Sequence, residues 1–315
     1  MKNRLIAFLK RYKSIFILLF FLLLIAAVNP RFFRMGNLRN LFLKVSIQGI
    51  IGFGMTFTLI AGEFDMSVGS ILTLSGIMFA TLLPITGFFA AFCITIAAGV
   101  VMGIINGTLV ARLRLSSFIA TLGMQYVYKA IALMISQGNP VRISDPIAVA
   151  ISGFKIGGST VFPFLFILVG LISAYILRMT KLGRNIYATG GNTEVAANSG
   201  INVKYYKVIS FVIVCAASAL AGILMSIRLQ SATTIAGDDT SLTVVSSAII
   251  GGTSPAGGVG GALETFIGLL IIGVITSNLD LLGISGYYQQ VVQGLLTVAI
   301  IGATSYSNYR KTNSV

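Results

Sequence analysis

Few residues in this chain are equipped for chemistry. Histidine is absent from all 315 positions, which removes the commonest general base, proton relay and metal ligand. Both cysteines, Cys93 and Cys215, fall in apolar segments. A thiol there acts as a small hydrophobe, so neither a disulfide nor a metal pair is implied. Enzyme chemistry is not expected. Eight carboxylates remain against 22 lysines and arginines. Glu63 and Asp65 stand at the edge of an apolar run, in Gly62–Gly69 (GEFDMSVG). An acid at membrane depth is a candidate for ion coupling or solute contact. The plainer reading makes Asp65 the cap of the helix that follows, with Gly62 permitting the bend. Glu264 reads as a helix-dipole partner for the same reason, and Asp238 and Asp239 as loop acids in solvent. Lys129, beside Gln125, Tyr126 and Tyr128, is the one cation inside an apolar span. It either snorkels to an interface or lines a polar path.

The amides inside apolar segments are Gln48, Asn106, Gln125, Asn278, Gln289, Gln290 and Gln293. Uncharged amides suit a neutral polyol better than an ion, although each serves equally as glue between helices. Asp65, Ser67, Asn106, Gln125 and Asn278 are therefore the candidate translocation-path residues. The glycine-rich run from Gly251 to Gly261 invites comparison with a phosphate loop. No lysine or arginine lies between Arg228 and Arg310, and no Walker A pattern occurs elsewhere. Such a loop needs its lysine to reach the phosphates. The run is a turn between helices, no cofactor is expected, and any ATP must be bound by another polypeptide.

The elements that position these residues are membrane helices. The chain is 56% hydrophobic and only 10% charged, with a mean hydropathy of +0.94. About 20 apolar residues span a bilayer core of roughly 30 Å, and the sequence supplies about ten such runs. The fold class is an all-α integral membrane protein, a single transmembrane domain over residues 1–315. The N-terminal apolar run, Ser14–Val28, follows a basic stretch and is taken as an uncleaved first span. The eighth segment, Ser241–Gly251, is too short to cross and reads as a broken or half-length helix. Asp65-Met66-Ser67 and Asp239-Thr240-Ser241 follow spans of opposite direction, an echo of the kind an inverted repeat leaves.

Ten spans place both termini on one side. Fourteen cations fall on that side and seven on the other, so the termini are expected in the cytoplasm. The basic balance is thus a topology signal, and nucleic-acid binding is not expected.

One polar stretch organises the whole, Lys181–Lys207, between the apolar segments Val161–Leu177 and Val208–Leu229. Five cations bracket it, and its Ala-rich centre, Thr193–Ser199, is flanked by Gly190, Gly191 and Gly200. This spacing predicts a short helix outside the membrane, shaped to meet another protein.

Four stretches in order, GEFDMSVG, Leu182–Lys207, Ile249–Gly260 (IIGGTSPAGGVG) and Asp280–Gln289 (DLLGISGYYQ), resemble the ribose-type permeases of bacterial ABC importers. The likeness covers roughly residues 43–301. It implies a cytoplasmic ATPase, an extracytoplasmic sugar-binding protein and a second permease, identical or paralogous, in the cytoplasmic membrane. It also implies that the polar stretch is the segment docking on the ATPase, with Gly190, Gly191, Asn192, Glu194, Ala196, Ala197 and Gly200 as contacts. The family commonly reads Gly-Gly-Ile-Asp-Leu-Ser where this chain has Gly62-Glu63-Phe64-Asp65-Met66-Ser67. A small sugar such as a pentose is the implied solute. Amino acid, nucleoside or sugar-derivative permeases are alternatives within that class, and an ion-coupled secondary transporter is the rival outside it.

Overall fold

The computed structural model describes residues 13–292, 294, 295, 298 and 302. Helices α1 (Lys13–Val28), α2 (Met35–Ile60), α3 (Val68–Thr86), α4 (Phe88–Ala111) and α5 (Ser117–Ser136) open the chain. A small segment follows, with β1 (Val141–Arg142), α6 (Pro146–Gly153), and a hairpin of β2 (Lys155–Ile156) and β3 (Ser159–Thr160). Then come α7 (Phe162–Met179), α8 (Lys181–Gly191), α9 (Thr193–Asn198), α10 (Val203–Leu229), β4 (Ser231–Ala232), α11 (Thr240–Gly251) and α12 (Ala262–Leu281). β4 pairs antiparallel with β1. A further helix opens at residue 286.

Seven of these helices, α2, α3, α4, α5, α7, α10 and α12, are long and apolar enough to cross a membrane. The chain is an all-α, multi-pass integral membrane protein. Two shorter apolar helices account for the expected first and eighth spans. The 12 residues of α11 reach about 18 Å, well short of a 30 Å core. The expected tenth span, Tyr288–Ile301, lies partly outside the described residues, as do the basic residues Lys2–Arg11, Arg310 and Lys311.

The core is built on α2. Apolar residues run around the whole helix, the pattern of a segment buried on every side. From Val45 to Ile60 every residue except Gln48 is buried, with α7, α10, α11 and α12 packed around it. Alongside, α4 meets α10 through a column of glycines, Gly99, Gly103 and Gly107. A Cβ at Gly103 would stand 2.5 Å from Val212 Cα, so only glycine lets these backbones approach. Large apolar side chains such as Phe89, Ile119 and Leu171 are exposed on α4, α5 and α7. Lipid tails solvate such surfaces as well as a protein core does.

Two interruptions give the bundle its plan. The first is 61–67, between α2 and α3; the second is 230–239, between α10 and α11. They meet inside the bundle, where Ser241 Oγ accepts from Gly69 N at 3.1 Å and donates to Met66 O at 2.7 Å. From that meeting point α3 runs beside α10, with Gly76 against Gly222, toward the end that carries β1 and β4. α11 runs the other way and ends with Gly251 against Glu264, in the first turn of α12. The sequence echo thus has a counterpart in the course of the backbone.

Candidate functional site

The first break is a closed polar knot. Gly62, at φ +80°, turns the chain out of α2, a left-handed conformation that glycine adopts without cost. Glu63 then pairs with Lys207 at 2.5 Å. Phe64 N donates to Ser117 Oγ and Met66 N to Thr121 Oγ1, at 3.2 and 2.9 Å, which ties the turn to α5. Asp65 is fully buried. Its Oδ1 accepts from Ser67 N at 2.9 Å and from Ser67 Oγ at 2.6 Å. Its Oδ2 accepts from Asn106 Nδ2 at 3.1 Å and Cys215 Sγ at 3.4 Å. Asn106 is held in turn by Tyr128, whose hydroxyl donates to Asn106 Oδ1 at 3.0 Å. Four donors converge on one carboxyl group, so the knot is satisfied from within, which is the condition for a polar group to be tolerated in a core. Asp65 caps no first-turn N–H of α3; it closes the turn one step earlier, at Ser67, the residue preceding the helix.

Across Ser241 the second break is open. Gln230 ends α10 at φ +52°, β4 pairs with β1, and the chain descends to Gly237. A Cβ at Gly237 would lie 1.9 Å from Gly69 O. Beside this descent lies a cavity of about 340 Å³ between α2, α10, α11 and α12. Gln48, the one residue of the buried α2 stretch left uncovered, lines it, with Arg228 from the last turn of α10 and Thr240 from the start of α11. The Lys44–Asp280 ion pair stands at its rim. Asp238 and Asp239 are exposed as expected, yet both are engaged. Asp238 pairs with Lys129, which also donates to Thr234 O, and Asp239 accepts from Gln290 Nε2. Lys129 therefore neither reaches free to an interface nor lines the cavity.

At the α8–α9 end the polar stretch folds into two short helices rather than one. Thr180 Oγ1 accepts from Gly183 N to start α8, and Asn192 Oδ1 accepts from Glu194 N and Val195 N to start α9. The expected contact residues divide. Gly191, Asn192, Glu194, Ala197 and Gly200 are exposed, whereas Ala196 is 3% exposed and Gly190 is half-buried. Gly190 lies against the end of α2, where a Cβ would fall 1.8 Å from Ile60 O, and Gly258 N donates to that same carbonyl at 2.8 Å. Tyr187 donates to Gly260 O at 2.6 Å. Burial, reinforced by the nearby Glu264 carboxylate, raises its phenol above the ordinary range, so it stays a donor. Glu264 sits in the first turn of α12 as expected, and its Oε2 is buried without a hydrogen-bond partner among the described residues.

Of the expected path residues, Asp65, Ser67 and Asn106 come together. Gln125 is half-buried on α5 between Thr121 and Tyr128, and Asn278 lies at the opposite end, accepting from Asn29 Nδ2 at 3.2 Å. None of the five lines the cavity. Sequence reasoning missed Cys215 as a partner of Asp65, Tyr128 as the partner of Asn106, and Arg228 as a cavity residue.

Comparison with known proteins decides the class. Residues 37–301 match the model of the family "branched-chain amino acid transport system / permease component". The chain belongs to that permease family. It is a transport permease and not an enzyme. The ribose import permease of Haemophilus influenzae is 34% identical over 310 residues, 96% of each chain. That of Escherichia coli K12 is 34% identical over 300 residues, 94% of each. The D-allose transport system permease of E. coli K12 is 36% identical over 297 residues, 93% of this permease and 91% of its relative. No solved structure matches the chain.

Proposed function

We propose that this permease is the membrane subunit of an ATP-driven importer for a small sugar, a pentose or similar monosaccharide. Its relatives over nine-tenths of its length are named for ribose import and for D-allose and L-arabinose transport. The observation that carries the ATP-driven part is the α8–α9 segment. It offers an exposed surface of Gly191, Asn192, Glu194, Ala197 and Gly200, while Gly190 and Ala196 anchor it to the body. A cytoplasmic ATPase docking there pushes on the Ile60 carbonyl at the start of the first break, and the body rocks around the meeting point of the two breaks. That assignment puts both termini and α8–α9 in the cytoplasm, in agreement with the cation count. An extracytoplasmic sugar-binding protein delivers the solute, and a second permease, identical or paralogous, completes the path. Glu63, Asp65 and Lys129, the charges a gradient-driven transporter would use, all have partners within the protein.

The test is uptake into proteoliposomes by the permease with its co-purifying partners. Labelled ribose should enter when ATP is supplied, and should continue to enter after an ionophore collapses ion gradients. Entry that needs the gradient and ignores ATP refutes the proposal. Within the same assay Gly191→Arg, placed where a side chain meets nothing within 4 Å, should abolish uptake without lowering the melting temperature.

A further inference from the structure

We propose that the cavity beside the second break is a resting site for the sugar inside the permease, anchored by Arg228. This rests on the proposed function and adds a place for the solute within the membrane. The cavity's volume, about 340 Å³, lies at the small end of ligand pockets. Its polar groups are of two kinds. Arg228 and Gln48 are half-buried and have no hydrogen-bond or ionic partner among the described residues, and the Thr240 side chain, 3% exposed, likewise has none. Ser247 and Thr276 spend their hydroxyl protons on helix carbonyls four residues back, at 2.7 and 3.0 Å. Their oxygens keep lone pairs to accept with.

Free donors together with free acceptors match a molecule whose groups each donate and accept, which is what a sugar's ring of hydroxyls does. A cation would need carboxylates, and the one acid at the rim, Asp280, is held by Lys44 and Gln289. At the first break, by contrast, the side chains of Ser67, Asn106 and Tyr128 already donate within the knot. The plainer role for Arg228 is to complement the carbonyl end of α10, a task lysine performs as well. A planar fork bridging two hydroxyls is something lysine cannot supply.

The experiment places a thiol in the wall: Thr276→Cys, with Cys93→Ser removing the exposed native thiol while Cys215 stays buried. Met225→Cys on the facing wall serves as a second reporter should the first variant fail to fold. In the intact transporter, D-ribose should slow maleimide labelling of the introduced thiol severalfold, and D-ribonate should not. Arg228→Gln should raise the half-protecting ribose concentration roughly tenfold or more, and Arg228→Lys should not restore it. Full restoration by lysine, or better protection by ribonate, overturns the assignment. Absence of ribose protection, while ATP still drives ribose uptake, overturns the site but leaves the importer standing. Absence of ATP-driven uptake removes the proposed function itself.

Discussion

The two breaks share one backbone solution and use it for opposite ends. Each interrupts a path across the membrane, and each brings a helix start to the middle of the bundle, where Gly69 and Gly237 touch. At the first, the buried polar side chains are turned on one another. Asp65, Ser67, Asn106, Tyr128 and Cys215 consume one another's hydrogen bonds, and the turn is tied to α5 and α10. At the second, Arg228, Gln48 and Thr240 line the cavity. A polar group in a low-dielectric interior is stable only when satisfied. The first break is therefore a pin about which the bundle is fixed. The second keeps open the groups that a solute has to satisfy.

That contrast can be broken at its strongest point first. Asp65→Ala strands four donors in the core and should cost on the order of 3 kcal/mol or more of stability. Thermal unfolding in detergent should show this as a large drop in melting temperature; an unchanged midpoint would mean the knot is not a pin. Gly190→Ala comes next. Its Cβ collides with the Ile60 carbonyl at the base of the same break, and overpacking of this kind costs about 1–3 kcal/mol. Because it separates α8 from α2, uptake per folded molecule should fall with stability, which sharpens the link between polar segment and pin. The smallest effect belongs to Lys129→Met. Its partner Asp238 is half-exposed, and such surface pairs contribute about 0–1 kcal/mol. Melting and uptake should both stay close to the parent, and a severe loss would put Lys129 on the path after all.

Much of this plan is legible in the residues. The 12-residue apolar run of α11 announces its own incompleteness, and the D-x-S echo marks both breaks because each needs a turn followed by a helix start. The two-helix form of the polar stretch is hidden. Gly183, Gly190 and Gly191 look like helix breakers, yet Gly183 and Gly190 are inside α8 because a side chain there would strike the carbonyls of Leu177 and Ile60. Tertiary packing, not propensity, chose them. Asp65 and Asn106 stand out as rare polar residues in apolar surroundings, but Tyr128 and Cys215 do not, since a phenol or a thiol passes for core. Gln125 and Asn278 share the chemistry of Asn106 and not its height or its face, which residue type alone does not carry. Arg228 is hidden by its place near a helix end, where it counts as one more topology charge.

The most direct measurement sets Asp65→Ala and Arg228→Gln side by side, with melting temperature and ribose uptake read on the same preparations. The account predicts that Asp65→Ala melts far lower, while Arg228→Gln melts with the parent and loses uptake at subsaturating ribose. If Arg228→Gln melts as low as Asp65→Ala, or Asp65→Ala melts with the parent, the division between a pinned break and an open one is wrong.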